Sequence, residues 1–377
     1  MSCRRDHPVK LRKAIVCFYL ILLGQAPVHS KEVPARQDAA VFQRAAARGI
    51  AFLRKSQNPD GSFSSELGPG VTSLVTTSLL RHGIPERDPV VSKALEYLEG
   101  FVQSDGGIYK TDSIYRNYET CLAMLCFAEL KQERFQRYLT NAEAFIKKIQ
   151  WDEDEGQDPS SPAYGGAGYG NQKRPDLSNT SFLIEALKAA GVSDDDEALQ
   201  RALIFVSRCQ NLETHHNTLP FNNKNPDGGF YYTGAAGGTS QAGNTASGGL
   251  RSYGSMTYAG LKSMIYAGVD ASDTRVKAAI GWISNNYDLS RNPGMPSGRD
   301  GLYYYYHTFA KALQALGEDR IQDAEGIKHD WRAELLQTLA SQQQENGSWV
   351  NESPRWLEGD AELVTAYALL SLSYCKK

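Results

Sequence analysis

The sequence of 377 residues has no excess of positive charge, few cysteines and, beyond its first thirty residues, no long hydrophobic run. Lys and Arg number 40 against 43 Asp and Glu. Because there is also no RNP, helix-turn-helix or zinc-finger spacing, nucleic acid is not an expected partner. No Cys-x-x-Cys pair occurs, which argues against structural zinc and dithiol redox sites. The length exceeds that of one ordinary core, so either several domains or a repeat architecture is expected.

The first thirty residues differ from the rest of the chain. A basic stretch over 1–13 precedes the apolar run AIVCFYLILLG, and Val28 and Ser30 stand where a signal peptidase reads the chain. This order of regions is typical of a secretory signal and short for a membrane span. We predict a signal peptide over 1–30 and a secreted or periplasmic mature protein, with an uncleaved anchor as the alternative. No stable membrane span is expected after cleavage.

Four cysteines remain after the predicted cleavage, namely Cys121, Cys126, Cys209 and Cys375. Secretion permits disulfides, but the mature chain is not disulfide-dense. Cys121 and Cys126 are five positions apart in an apolar helical stretch and so lie on different sides of the helix. We expect these two to be buried free thiols.

A repeat organises the mature chain. NPDGSF at 58–63 returns as NPDGGF at 225–230, and both are turn signals that end in an aromatic residue. Around them, an apolar helix, a turn of this type and a second apolar helix recur six times and account for nearly all of residues 31–377. The first helix of each pair is amphipathic, whereas the second is apolar almost all round.

One helix pair cannot bury its own apolar face, so neighbouring pairs must stack. The pattern therefore predicts an all-α, single-domain α/α toroid of six helical hairpins over 31–377, with an inner ring, an outer ring and a central cavity. Aromatic residues at the turns are expected to fill the seams between pairs: Phe63, Tyr109, Phe230, Tyr303 and Trp349.

Two turns carry a more specific signature. Gln57, Asp60, Gly61 and Phe63 in the first unit, and Gln343, Asn346, Gly347 and Trp349 in the last, resemble the Gln–Trp repeat of squalene and hopene cyclases. The β subunits of protein prenyltransferases share the same fold. The resemblance covers the whole mature chain at the level of repeats, and it implies a closed toroid. It does not fix the chemistry, because one fold carries many functions.

Functional residues are expected where the second helices begin, because those ends surround the mouth of the cavity. A Thr aligns five of the units there: Thr120, Thr180, Thr257, Thr308 and Thr365. We name as candidate catalytic residues Asp176, His307 and Glu119, and as cavity-lining residues Arg116, Asn179, Tyr253, Tyr304, Asp360 and Glu362.

The stretch DLSNT, from Asp176 to Thr180, resembles the D-x-D-D-T motif with which squalene-type cyclases protonate an alkene. Ser178 and Asn179 stand where the family has its two later acids. The resemblance therefore implies that the proton-donating acid is missing. A structural alternative is that Asp176 and Asn179 cap the helix that begins at Thr180.

The stretch LYYYYHT resembles the segment that supplies a zinc-binding His in protein prenyltransferases and places His307 at that position. The partner Asp and Cys are absent from the matching RSYGSMTYAG, so no zinc and no other cofactor is expected. His307 is either a cavity residue or a satisfied structural one. The Gly-rich segment 234–249 is expected to be either a lid over the mouth or a flexible insertion.

Three functions remain open from the sequence. The first is a secreted cyclase-like protein that binds or transforms a hydrophobic, isoprenoid-type ligand. The second is a lyase or hydrolase of extracellular polysaccharide, for which Arg116, Glu119, Asp176, His307, Asp360 and Glu362 supply acids, bases and a cation. The third is a non-catalytic scaffold or binding protein. The partner is thus a hydrophobic or carbohydrate small molecule, and the sequence does not indicate an oligomeric state.

Overall fold

A computed structural model describes residues 35–170 and 173–376. The predicted signal peptide lies outside the described residues. Twelve α-helices form in the described part: α1 (Ala35–Ser56), α2 (Pro69–Arg81), α3 (Pro89–Glu99), α4 (Arg116–Leu130), α5 (Glu133–Lys148), α6 (Leu177–Ala189), α7 (Glu197–Arg208), α8 (Gly254–Tyr266), α9 (Thr274–Asn285), α10 (Leu302–Leu316), α11 (Trp331–Gln342) and α12 (Ala361–Ser373).

The helices form two concentric rings. The even-numbered helices pack in the cyclic order α2, α4, α6, α8, α10, α12 and back to α2, which closes an inner ring. The outer helices α3, α5, α7 and α9 pack on the inner helix that precedes them, while α1 packs on α11 and α12. The predicted six-hairpin α/α toroid is confirmed. Inner helices are buried all round because they have a neighbour on every side, which explains their uniformly apolar sequences.

A repeated glutamine ties the turn to the next outer helix in four of the units. The Gln57 side-chain amide donates to the carbonyl of Gly61 in its own turn at 3.0 Å and to that of Val90 in α3 at 2.8 Å. The same pair of bonds recurs from Gln150, Gln210 and Gln343. Buried carbonyl groups need such donors, so the repeated Gln reports a junction between units.

The turn glycines meet a second constraint at that junction. Gly61, Gly165 and Gly347 all have positive φ, a backbone conformation that favours glycine. A Cβ at Gly165 would lie 1.8 Å from the carbonyl oxygen of Arg201 in the next outer helix. At this position both the turn and the close approach of two backbones therefore require glycine.

The aligned threonines have a structural role. The Thr120 hydroxyl accepts the backbone N–H of Ile108 at 3.0 Å and donates to the carbonyl of Arg116 at 2.6 Å. Equivalent backbone N–H groups donate to the hydroxyl oxygens of Thr72, Thr180, Thr257 and Thr365. Thr308 departs from this pattern, because its hydroxyl bonds only carbonyls of its own helix.

Two of the predicted seam aromatics need correction. Phe63, Phe230 and Trp349 are fully buried as expected. In the second unit the buried position belongs to Ile108, while the Tyr109 hydroxyl bonds Asp105 at the surface. Tyr303 lies inside α10 rather than in a turn. At these turns the buried side chain belongs to the residue whose backbone N–H bonds the Thr hydroxyl, whether or not that side chain is aromatic.

A short antiparallel hairpin, β1 (Ile321–Gln322) with β2 (Lys328–His329), joins α10 to α11 and was not predicted. His329 fixes it to the toroid. One ring nitrogen of His329 lies 3.0 Å from Asp323 and the other 3.0 Å from Glu334, and the ring stacks on Tyr287. These two carboxylates raise the pKa of His329 against the opposing effect of burial.

The Gly-rich segment 234–249 folds into successive turns. Isolated bridges join Thr233 to Thr239 and Asn244 to Leu250. Gln241 accepts a bond from Arg355, in the loop before α12. The segment therefore has defined contacts with another unit on the face where the inner helices begin, and its role as a lid stays a prediction.

Cys121, Cys126, Cys209 and Cys375 are buried and unbridged. Among the helices of residues 35–170 and 173–376, none combines the length and the apolar character that crossing a membrane requires.

Candidate functional site

Asp176 lies at the start of α6, where the mouth of the toroid was expected. One carboxylate oxygen accepts the backbone N–H of Asn179 and the other its side-chain amide, both at 2.9 Å. Asp176 is thus the N-cap of α6, as the structural alternative holds. A catalytic role for it stays a prediction.

Tyrosines surround this carboxyl group. Tyr169, Tyr232, Tyr253 and Tyr304 all lie close enough for their phenols to interact with Asp176. Burial raises the pKa of Asp176 to about 6, against the hydrogen bonds from Asn179 and Tyr232 and the nearby Arg174 cation. The dry, aromatic surroundings disfavour the charged carboxylate.

Ser178 takes the place of a cyclase acid. Its hydroxyl lies 2.8 Å from the phenol of Tyr304, which projects from α10, two positions from α6 in the inner ring. Either oxygen can donate in this bond, and neither is acidic at neutral pH. Two neutral hydroxyls therefore occupy the position at which the family motif has a carboxylic acid.

Aromatic rings close the toroid just inside the entrance. The Tyr304 ring lies 6.2 Å from that of Phe182 and 6.0 Å from that of Tyr367, and Tyr118 meets Phe182 edge-on at 5.3 Å. Burial raises the pKa of Tyr118 to about 12. We call this set, with Asp176, the entrance cluster. Tyr253, predicted to line the cavity, is buried at the N-terminal boundary of α8.

Glu119 and Arg116 hold loops at the start of α4. The Glu119 carboxylate accepts the N–H of Lys110 at 2.9 Å and the hydroxyl of Ser113 at 2.8 Å. Burial raises the pKa of Glu119. The Arg116 guanidinium donates to the carbonyl of Gly170 at 2.8 Å. Both side chains thus have structural partners, and their functional roles stay predictions.

Asp360 and Glu362 come together at the start of α12. Asp360 caps that helix, and the Ser64 hydroxyl lies 2.7 Å from Asp360 and 2.8 Å from Glu362. Burial and the neighbouring Asp360 raise the pKa of Glu362, although the Ser64 hydrogen bond opposes the rise. A hydroxyl has one proton, so Ser64 can donate to only one of these two carboxyl groups at a time.

His307 projects from α10 into the interior of the inner ring, where it packs beside Tyr367. Its Nδ1 atom is buried and has no hydrogen-bond partner. Burial and the cations Lys311, Lys262 and Arg81 hold the pKa of His307 well below its usual value. The cavity beside His307 has a volume of about 20 Å³, enough for one water molecule.

A buried cluster of charged residues in this interior was not predicted. Glu185 of α6 forms ion pairs with Lys262 of α8 and Lys311 of α10, and all three are buried. A signal existed, since each interrupts an otherwise apolar inner helix. Their convergence depends on the order of helices in the ring. We call these three residues the bore triad.

Glu358 is a second residue that sequence reasoning missed. Its buried carboxylate accepts the backbone N–H groups of Tyr303 and Tyr304 at the start of α10, as well as the Asn351 amide. Burial raises the pKa of Glu358 to about 7 against these bonds. The loop before α12 therefore supplies the cap of the neighbouring inner helix.

No group of His, Cys, Asp and Glu within residues 35–170 and 173–376 has the arrangement of a metal site. At the entrance, the chemistry available is therefore that of one buried carboxyl group and several phenols. In the interior it is that of buried cations around one carboxylate.

Comparison with known proteins is consistent with this fold. The family model for the squalene–hopene cyclase C-terminal domain matches residues 68–233. D-mannose isomerase superposes with a TM-score of 0.51 at 12% identity, over 90% of this chain and 99% of that chain. A type II terpene cyclase from Scytonema, solved with geranylgeranyl dihydroxybenzoate, gives a TM-score of 0.38 at 14% identity, over 90% and 99%. No curated protein sequence matched significantly.

Proposed function

We propose that this chain, of which residues 68–233 match the family model for the squalene–hopene cyclase C-terminal domain, is an extracytoplasmic toroid that binds a hydrophobic, isoprenoid-type ligand at its entrance without cyclising it. The observation that carries the proposal is the bond of 2.8 Å between Ser178 and Tyr304, at the position of the family's acid. Alkene protonation needs a strong, dry carboxylic acid. A serine paired with a tyrosine does not supply one.

Asp176 does not replace the missing acid in this proposal. Both of its oxygens accept hydrogen bonds from Asn179, which is the arrangement of a helix cap. A carboxyl group with a pKa of about 6 is also a weaker acid than an ordinary aspartic acid. The group therefore suits hydrogen bonding to a ligand better than proton transfer to an alkene.

The entrance cluster suits an apolar ligand with one polar end. Tyrosine rings present large apolar faces, and their hydroxyls supply a polar contact. The cavity beside His307 has a volume of about 20 Å³, which is too small for a ligand of isoprenoid size, so the proposal places the ligand at the entrance.

Mass spectrometry of material that co-purifies with residues 31–377, followed by rebinding of farnesol to the stripped protein, tests this proposal. Tyr304→Ala is expected to weaken farnesol binding about tenfold or more, while Tyr304→Phe keeps the ring and most of the affinity. Tyr287→Ala, beside His329, is the control and leaves binding unchanged. Farnesol that does not bind, or a cyclic product formed from a polyprenyl substrate, contradicts the proposal.

Asp360 and Glu362 favour a second candidate function, cleavage of an extracellular polysaccharide. Two neighbouring carboxyl groups, of which burial raises the pKa of one, are the pair that glycoside cleavage uses. Release of reducing ends from a panel of polysaccharides, lost in Glu362→Gln, would support this candidate. If neither farnesol nor any polysaccharide is bound or cleaved, the scaffold interpretation is favoured.

A further inference from the structure

The bore triad places two cations against one anion. Glu185 pairs with Lys262 through one carboxylate oxygen and with Lys311 through the other. The exposed fractions of the three side chains are 3% for Glu185, 2% for Lys262 and 6% for Lys311. Water therefore does little to screen these charges, and buried charges need partners within the protein.

The neighbouring groups do not supply the missing negative charge. Arg81 pairs with Glu129 at 2.6 Å, so that pair is neutral overall. The charged groups that act on His307 are Lys311, Lys262 and Arg81, all of them cations. Helix dipoles act mainly within the last turn, and Lys262 and Lys311 lie before the last turns of α8 and α10. The interior of the ring thus has a surplus of one positive charge when both lysines are protonated.

The cavity lies directly against this surplus. Its polar lining comes from Lys311, Arg81, His307 and Thr77, and the rest comes from leucines and Phe182. The buried Nδ1 of His307 has no partner. A volume of about 20 Å³ admits one particle of the size of water. A water molecule could bond to His307, but it would leave the surplus charge in place.

We propose that this cavity binds one small inorganic monovalent anion, such as chloride. The anion lies beside the Lys311 ammonium, opposite to Glu185, and completes the charge balance of the bore triad. Polyatomic anions such as gluconate do not fit, and cations are repelled by Lys311 and Arg81. In its absence burial lowers the pKa of Lys311 to about 8, with the Arg81 cation adding to the fall. The anion therefore stabilises the folded ring and is independent of any ligand at the entrance.

Thermal unfolding at constant sodium concentration tests the proposal, with chloride or bromide exchanged for gluconate. We expect a saturable rise in Tm of about 2 °C or more with either halide. The rise disappears in Lys311→Met, which removes the surplus charge. It persists in the control Lys55→Met, since Lys55 is exposed on α1. Comparing variants within each salt separates binding from general salt effects.

Bromide gives a second measurement that needs no variant. Crystals of the wild-type protein grown in sodium bromide are expected to show an anomalous peak within hydrogen-bond distance of Lys311 Nζ. The absence of that peak, or a halide effect on Tm that is equal in the wild-type protein and in Lys311→Met, overturns the proposal.

Discussion

At the entrance of the toroid, neutral phenols and hydroxyls surround one carboxyl group, whereas deeper in the ring two ammonium groups share one carboxylate. Asp176 accepts two hydrogen bonds from Asn179, three residues away, and a further one from Tyr232. The Glu185 carboxylate is paired with lysines that lie 77 and 126 residues away in the sequence. The two bonds from Asn179 lie within one helix start, so they do not depend on contacts between helices. The ion pairs of Glu185 lock α6, α8 and α10 together and suit a part of the ring that stays fixed.

The largest effect is expected when the bore triad loses its carboxylate. Glu185→Ala leaves two buried ammonium groups without a partner, and we expect a loss of about 3–5 kcal/mol in the free energy of unfolding. Glu143→Ala is the control, because its pair with Lys147 is partly exposed and contributes less than about 1 kcal/mol. Denaturant unfolding measures both. Equal losses in the two variants would contradict a locked interior.

The second prediction concerns the junctions that hold both regions in place. Gly165→Ala forces a Cβ onto the Arg201 carbonyl, and we expect a loss of more than about 2 kcal/mol. Gly191 also has positive φ but has nothing within 4 Å of the added Cβ. Gly191→Ala therefore isolates the backbone strain, with an expected loss of about 1 kcal/mol. If the two losses measured by thermal unfolding agree, the close approach at Gly165 is unimportant.

The third prediction concerns the pH dependence of stability that Asp176, in the entrance cluster, contributes. Because the folded-state pKa of Asp176 is raised to about 6 from about 4 in the unfolded chain, the folded state binds more protons between these values. Its contribution is complete below pH 4 and is lost as the pH rises through 6, by about 1–3 kcal/mol. Asp176→Asn, which retains a capping side chain, should remove this slope from unfolding measured at pH 4–7.

A control with the opposite sign is available at the surface. Hydrogen bonds from Ser62 lower the pKa of Asp60, so its contribution is present at neutral pH and is lost as the pH falls. Asp60→Asn should therefore leave the Asp176 slope intact. A wild-type slope at pH 4–6 that is unchanged in Asp176→Asn would assign the titration to another group, such as Glu358.

The smallest expected effect is at the β1–β2 hairpin, which belongs neither to the entrance cluster nor to the bore triad. The pKa of His329 is raised, so the stability from its two carboxylate partners is present below its unfolded pKa and lost as the pH rises through the folded value. His329→Gln should remove a contribution of up to about 1 kcal/mol at pH 5.5 and change little at pH 8. An NMR titration of the ring that shows a pKa below 6.5 would contradict this.

Much of the fold could be predicted because it follows from short sequence patterns that repeat along the chain. Gln57, Gly61 and Thr120 belong to turns and helix starts whose spacing repeats, so periodicity alone indicated six stacked pairs. The seam position in the second unit was assigned to Tyr109 instead of Ile108, since composition suggested an aromatic residue where the geometry requires only an apolar one.

The site was harder to predict for a physical reason. Asp176 and Asn179 are neighbours in sequence, and their capping bond was foreseen as an alternative. Lys262 lies on the neighbouring helix α8, but Lys311 and Tyr304 lie on α10, which is separated from α6 by α8 in the ring and reaches its side chains only through the interior. A lysine inside an apolar helix signals a buried partner, but the identity of that partner depends on the order in which the helices close.

Four glutamines link a turn to the following outer helix, and the last of them, Gln343, bonds the first helix, α1. Gln343 donates to the carbonyl of Ala45, and Arg48 donates to the carbonyls of Gln344 and Glu345. Among the helices of the described residues, α1 is synthesised before the others but meets its packing surface on α11 and α12 only when the sixth unit has been made. Of these helices, α1 therefore has the longest interval between its synthesis and its packing. Because α1 closes the ring against the sixth unit, a circular permutation that moves the chain termini to an outer loop would leave every junction between units intact.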